Sequence, residues 1–286
     1  MQSGKQIRLK DVSGSCIQVR YLASSQEISV PTILALHGFT GSGLDFLPLR
    51  DALGMNSANW LLPDLKGHGE SDSPDNLDAY SLNTALDAIE RSQNLAPDPE
   101  NVLLLGYSMG GRLALHYLRR HPQLKAFLIG SSPGLATKKE RASRIRMDDQ
   151  WRAFLLDGRH SVEAFCDEWE DQPLIHPQTA LPDPLCHELK ARRRANSPAG
   201  LAGSLCGLGT GALPSLWGEL GTLPPLHLVH GEEDLKFGEI ARLMLGMNPV
   251  FEIHEIAGAG HSPHLENPLA TAEQLARILK LSGRQS

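Results

Sequence analysis

A serine, an aspartate and a histidine, met in that order along the chain, are the residues best placed for chemistry. Ser108 sits in Gly106-Tyr107-Ser108-Met109-Gly110, directly after the apolar run Val102 to Leu105 and before a helical pattern. A strand-to-helix turn with small flanking residues lifts a hydroxyl clear of a sheet, at the positive end of the following helix. The pentapeptide alone carries little weight, since glycine and serine are ordinary turn residues; its place between strand and helix gives it meaning. Asp234 follows the run Leu226 to Val229 in His230-Gly231-Glu232-Glu233-Asp234, and His261 follows Phe251 to Ile256 in Gly258-Ala259-Gly260-His261-Ser262. The histidine can take the serine proton while the carboxylate fixes the ring tautomer and stabilises the imidazolium. Glu232 or Glu233 could replace Asp234 as the orienting acid.

Other segments supply what such a triad needs. Leu36-His37-Gly38-Phe39 follows a predicted strand, so the Phe39 N–H can join the Met109 N–H in an oxyanion hole; each donor of such a pair is worth about 3 kcal/mol in a transition state. Asp64-Leu65-Lys66-Gly67-His68-Gly69-Glu70-Ser71 reads as a turn in which His68 stabilises the backbone, since a triad histidine should follow the acid in chain order. Arg112 lies four residues after Ser108, where a cation opposes the helix dipole and is costly to bury unpaired. Its counter-charge is either an internal carboxylate or an acidic substrate. Arg141 and Arg144 share a helix face, and Arg192, Arg193 and Arg194 form a second group. Runs of this kind are usually solvated surface, yet guanidinium forks turned to a pocket suit carboxylates.

The elements that position these residues follow from periodicity. Apolar runs at Ile33 to Leu36, Trp60 to Leu62, Val102 to Leu105, Phe127 to Ile129, Leu226 to Val229 and Phe251 to Ile256 predict buried strands. Helical patterns at Leu82 to Arg91 and Gly111 to Arg120 lie between some of them, which predicts an α/β class with a mostly parallel sheet and helices on both faces. Residues 134–220 break the rhythm: without a clear strand run and rich in Arg, Trp and charged pairs, they predict an inserted helical cap, leaving residues 1–133 and 221–286 as the two parts of one core.

Bulk properties exclude several classes. With 286 residues, 41% hydrophobic and 21% charged, the chain can bury a substantial core. A net charge of −6 supplies no basic field for nucleic acid or an anionic membrane. The chain holds no 18-residue apolar stretch and its first residues hold no signal-like run, so a cytoplasmic protein without membrane insertion is expected. Cys16, Cys166, Cys186 and Cys206 form no CxxC pair; reduced thiols rather than a metal site are expected.

Taken together, these motifs resemble the family of 2-succinyl-6-hydroxy-2,4-cyclohexadiene-1-carboxylate synthases, lyases of menaquinone and phylloquinone biosynthesis with the α/β-hydrolase fold. The resemblance spans nearly the whole chain. It includes Glu140-Arg141-Ala142-Ser143-Arg144 and Ser197-Pro198-Ala199-Gly200-Leu201-Ala202, and its more selective parts are Arg112 after Gly110-Gly111, Ser132-Pro133-Gly134-Leu135 and the segment Gly231-Glu232-Glu233-Asp234-Leu235-Lys236-Phe237. It implies a catalytic Ser108, Asp234 and His261, a substrate site using Arg112, Arg144 and Arg193, and a lining of Tyr107 and Trp169. It also implies a small multi-carboxylate substrate and pyruvate elimination without metal or organic cofactor. The same triad would serve a serine hydrolase of small acidic esters or C–C bonds, and a non-catalytic ligand receptor on the same scaffold could retain it.

Overall fold

The computed structural model describes residues 4–25, 30–175 and 181–282. Among them an eight-stranded sheet runs in the order β1-β2-β4-β3-β5-β6-β7-β8, with β1 (Lys5–Lys10), β2 (Cys16–Leu22), β3 (Thr32–Leu36), β4 (Asn59–Pro63), β5 (Val102–Tyr107), β6 (Lys125–Ile129), β7 (Leu226–Gly231) and β8 (Glu252–Ile256). β1 pairs antiparallel with β2 and β2 with β4; every other pairing is parallel.

The six apolar runs of the sequence each fall within a strand or overlap one; β8, at the sheet edge, exposes Glu252 and Glu255, and for the interior strands the structure shows why the runs are continuous. Along β5, Leu104 faces one core cluster with Leu34, Leu61, Leu128 and Leu228, while Leu103 and Leu105 face another with Ile33, Trp60, Phe127 and Val229. Both faces are covered, so no position can be polar. The first cluster holds residues of α2 (Leu82–Gln93), α3 (Met109–Leu118) and α8 (Leu235–Met247); the second holds those of α1 (Leu47–Leu53) and α10 (Pro268–Ser282). A short helix, α9 (Pro263–Glu266), links the β8 end to α10.

β1 and β2 carry no apolar run and were not among the predicted strands. β1 is an edge strand of alternating exposed and half-exposed residues, with charges that blunt its free side. β2 alternates, and its buried Arg20 pairs with Asp64 at 3.3 Å. Between β6 and β7 the chain is helical: α4 (Lys138–Leu156), α5 (Val162–Glu170), α6 (Asp183–Arg194) and α7 (Pro198–Leu208). α4 opens with a capping box of Thr137 and Glu140, and α7 with Ser197 as N-cap and Pro198 in the first turn. These helices sit over the C-terminal ends of β3 and β5. Asn196 Nδ2 donates to Thr40 O at 2.8 Å, Ser204 Oγ meets Met109 Sδ at 3.5 Å, and Trp169 lies edge-on to Phe39 at 5.0 Å.

Candidate active site

Ser108 occupies the bend between β5 and α3 at φ 49°, ψ −106°, a left-handed conformation that a non-glycine residue adopts only when its surroundings enforce it. Its N–H donates to Ile129 O at 2.9 Å and its carbonyl accepts from Arg112 N–H at 3.0 Å, clamping the bend between β6 and the first turn of α3. Gly110 N–H donates to His37 O at 3.1 Å, tying the loop after β3 to α3. A Cβ at Gly110 would collide with the Leu36 carbonyl oxygen, so only glycine permits this approach.

His261 Nε2 lies 3.2 Å from Ser108 Oγ, and His261 Nδ1 lies 2.7 Å from Asp234 Oδ2. Asp234 and His261 are both buried, and Asp234 Oδ1 also accepts from Phe237 N–H at 3.2 Å, which caps α8 and fixes the carboxylate. Of the three candidate acids, Asp234 alone reaches the ring: Glu233 is exposed, and Glu232 accepts from Gly258 N–H instead. The loop bearing His261 is braced by Glu266, whose carboxylate accepts from Gly260 N–H and from Ser262 N–H, the latter at 2.9 Å. Gly130, at φ 53°, gives the ring room; a Cβ there would stand 2.6 Å from His261 Cε1.

The loop that carries Phe39 runs close to this bend, since a Cβ on Gly38 would stand 3.7 Å from Ser108 Cβ, and Met109, as the first residue of α3, has no intrahelical acceptor for its own N–H. The loop between them is locked by His37, whose Nε2 accepts from Leu65 N–H at 2.8 Å and whose Nδ1 donates to Gly38 O at 2.7 Å, a pattern that requires the neutral ring. Burial pushes the His37 pKa down, Asp64 opposing it. His68 is buried beside His37 and Phe39, its ring 5.1 and 5.6 Å from theirs. Its Nδ1 lies 3.2 Å from the Lys66 carbonyl oxygen, in line with the turn-stabilising role expected of it.

Of the other anticipated residues, Arg112 and Arg144 come together. Burial first, then the neighbouring charge of Arg144, pushes the Arg112 pKa down to about 10, with Asp148 opposing; the guanidinium stays charged at neutral pH. Arg144 Nε binds Asp148 Oδ1 at 2.8 Å, whereas Arg112 has no carboxylate within salt-bridge distance among the described residues. It reaches the Leu208 carbonyl at 3.4 Å, and its Nε is buried without an acceptor. The internal-carboxylate alternative for the Arg112 counter-charge is therefore not met by a direct pair: the buried carboxylate nearby, Asp148, binds Arg144, leaving a surplus of positive charge. Arg193 stands apart from this pair, buried against Glu170 at 3.2 Å, while Arg192 pairs with Asp45 at 3.1 Å and Arg194 with Asp167 at 2.6 Å. Tyr107 packs 5.3 Å from the His261 ring and its hydroxyl lies 2.6 Å from Ser262 Oγ. Trp169 joins Phe39, Phe165 and Trp151 in an aromatic wall, with its Nε1 buried and unpartnered.

Sequence reading missed Asp148, Glu266 and His37. Asp148 had a signal in its spacing four residues after Arg144, which places both on one helix face. Glu266 and His37 act through backbone groups, which no spacing reveals.

A strained serine at a strand–helix bend, paired with a buried histidine and aspartate on a mostly parallel sheet, defines an α/β-hydrolase. Residues 33–274 match the alpha/beta hydrolase family, and the chain belongs to it. A putative 2-succinyl-6-hydroxy-2,4-cyclohexadiene-1-carboxylate synthase of Bacillus subtilis (strain 168) is 36% identical over 255 residues, covering 87% of this chain and 91% of that one. The synthase of that name from Enterobacter sp. (strain 638) is 33% identical over 260 residues, covering 88% and 92%. The solved structure of MenH from S. aureus superposes with a TM-score of 0.83 at 26% identity, over 93% of this chain and 98% of that one. Within the hydrolase fold, the chain belongs to the 2-succinyl-6-hydroxy-2,4-cyclohexadiene-1-carboxylate synthase family.

Proposed function

We infer that this chain is a carbon–oxygen lyase that eliminates pyruvate from 2-succinyl-5-enolpyruvyl-6-hydroxy-3-cyclohexene-1-carboxylate, giving 2-succinyl-6-hydroxy-2,4-cyclohexadiene-1-carboxylate on the way to menaquinone or phylloquinone. The observation that carries the reading beyond the shared fold is the Arg112–Asp148–Arg144 group: Asp148, the buried carboxylate here, pairs with Arg144 and leaves the neighbouring Arg112 without a direct counter-ion among the described residues, and a multiply anionic substrate restores the balance. Arg193, Tyr107 and Trp169 complete the substrate site in this proposal.

The chemistry needs one proton removed and one C–O bond broken. Ser108 Oγ, its own proton drawn toward His261 Nε2, takes the ring proton next to the succinyl ketone; Asp234 stabilises the resulting imidazolium. The electron pair of that C–H bond forms a dienolate whose oxygen is held by the Phe39 and Met109 N–H groups. Collapse of the dienolate forms the second ring double bond and expels the enolpyruvyl oxygen, and the departing enolate takes up a proton to become pyruvate. No acyl-enzyme forms and no water is added. The cytoplasm fits this activity, and no helix among the described residues is long and apolar enough to cross a membrane.

Product masses test the reading. Elimination shortens the substrate by one pyruvate without gain of oxygen from solvent; with water labelled in oxygen, an unlabelled diene is expected. A product carrying solvent oxygen, together with a mass increment on Ser108 during turnover, would establish the hydrolase instead.

A further inference from the structure

Far from the triad, the outer edge of the sheet brings two histidines and a glutamate together. In the parallel pairing of β7 with β8, His227 stands opposite Glu252, and His254, midway along β8, follows two residues on, while Asp234 and His261 lie beyond the C-terminal ends of these strands. His227 Nδ1 lies 3.0 Å from His254 Nε2, and Glu252 Oε2 lies 3.6 Å from the first and 4.0 Å from the second. Ligands about 2.0–2.2 Å from a tetrahedral zinc ion stand about 3.3 Å from one another. The three observed separations straddle that figure, so sub-ångström side-chain shifts would close them on one ion.

We propose that His227, Glu252 and His254 form a binding site for a divalent transition-metal ion, of which Zn2+ is the representative, that clips the edge strand β8 to β7. Two imidazoles and one carboxylate are the donor set of Zn2+ and its neighbours in the transition series rather than of Mg2+ or Ca2+, which take oxygen. Without metal, the contact between the two rings requires a shared proton; an ion replaces that proton and draws in the carboxylate. The histidines are half-buried and Glu252 is exposed, which leaves the fourth position open to water. Gln274 on α10 lies beside the His254 ring, where an outer-shell group can orient a ligating imidazole. Lys125 and Arg277 act on the same rings and oppose a cation, so this is a site of moderate affinity whose negative charge comes from Glu252. The spacing of the three residues in sequence suggests no ligand set; the register of two parallel strands creates it.

Titration of the full chain with Zn2+, and with Co2+ for its visible ligand-field spectrum, tests the proposal. The expected result is one ion per chain and a Co2+ spectrum of a four-coordinate nitrogen–oxygen site. His227→Ala and His254→Ala should each weaken binding at least about tenfold, since loss of an outer-shell partner alone costs about 10–100-fold. Zn2+ should raise the Tm of the wild-type chain and not that of His254→Ala, with pyruvate elimination unchanged in both. Should a histidine variant fail to fold, Glu252→Gln, an exposed change, carries the test by the same loss of affinity. Absence of Zn2+ binding, or binding and Tm shifts in these variants equal to wild type, would overturn the site.

Discussion

At the scale of single residues, the proposed activity depends on where positive charge is left uncompensated. Arg112, pushed down to about 10 by burial, is held in its charged form at a cost the fold repays only in part through Asp148. Arg141, two turns before Asp148 on α4, instead donates to the Gly211 carbonyl at 3.3 Å and takes no part in that balance. Arg112→Ala should therefore raise KM for the anionic substrate by at least about tenfold, the scale of one charge-assisted hydrogen bond, with Arg141→Ala within about twofold of wild type. Steady-state kinetics with both variants checks this; equal effects would mean that the arginines form only a diffuse field. Much of this was legible in sequence, because Arg112, Arg144 and the triad are carried by local motifs. The partition of Arg192, Arg193 and Arg194 was not: three adjacent arginines point three ways round a helix, and only packing decides that Arg193 is the buried one.

At the scale of elements, the site is made where the β3 loop meets the bend before α3. The contact is backbone to backbone, Gly110 against Leu36 and His37. Gly110→Ala should push that loop away and misplace the Phe39 donor, lowering kcat by about 10²–10³-fold, the cost of losing one oxyanion-hole donor. Comparing kcat with Tm separates this from simple unfolding; an active Gly110→Ala enzyme would show that the loop is not positioned by that contact. The predicted buried strand at 251–256 proved to be the edge strand β8 with Glu252 and Glu255 exposed, while the interior strands were readable because both faces are covered and their runs are continuous. The β1–β2 hairpin was not, since its edge position allows Lys5, Arg8 and Lys10 to alternate with apolar residues in a pattern that resembles a polar terminus. The helical character of the segment between β6 and β7 was read from the lack of strand runs, but how α5 places Trp169 against Phe39 depends on tertiary packing.

At the scale of the whole molecule, several histidines are buried as neutral rings. Burial pushes His68 and His264 down to about 3, aided by the nearby rings of His37 and His261 respectively, and His116 down to about 4, aided by Arg119 and Arg112. Each ordinary value is 6.5, so below that pH the unfolded chain takes up protons that the folded chain refuses. Stability is then full above about pH 6.5 and falls as pH drops toward 4, by up to about 1.4 kcal/mol per pH unit for each such ring. Urea midpoints at pH 7, 6 and 5 should decline in step, and a flat series would show that these rings are protonated in the fold. The activity of the whole chain rests on Ser108 acting as a base within a site built for a multiply charged anion. Pyruvate release from the enolpyruvyl substrate, followed for wild type and for Ser108→Ala at equal folded concentration, tests that most directly. The account predicts one pyruvate per substrate consumed by wild type and a rate at least about 10²-fold lower in the variant; release by Ser108→Ala at the wild-type rate, or none by wild type, would contradict it.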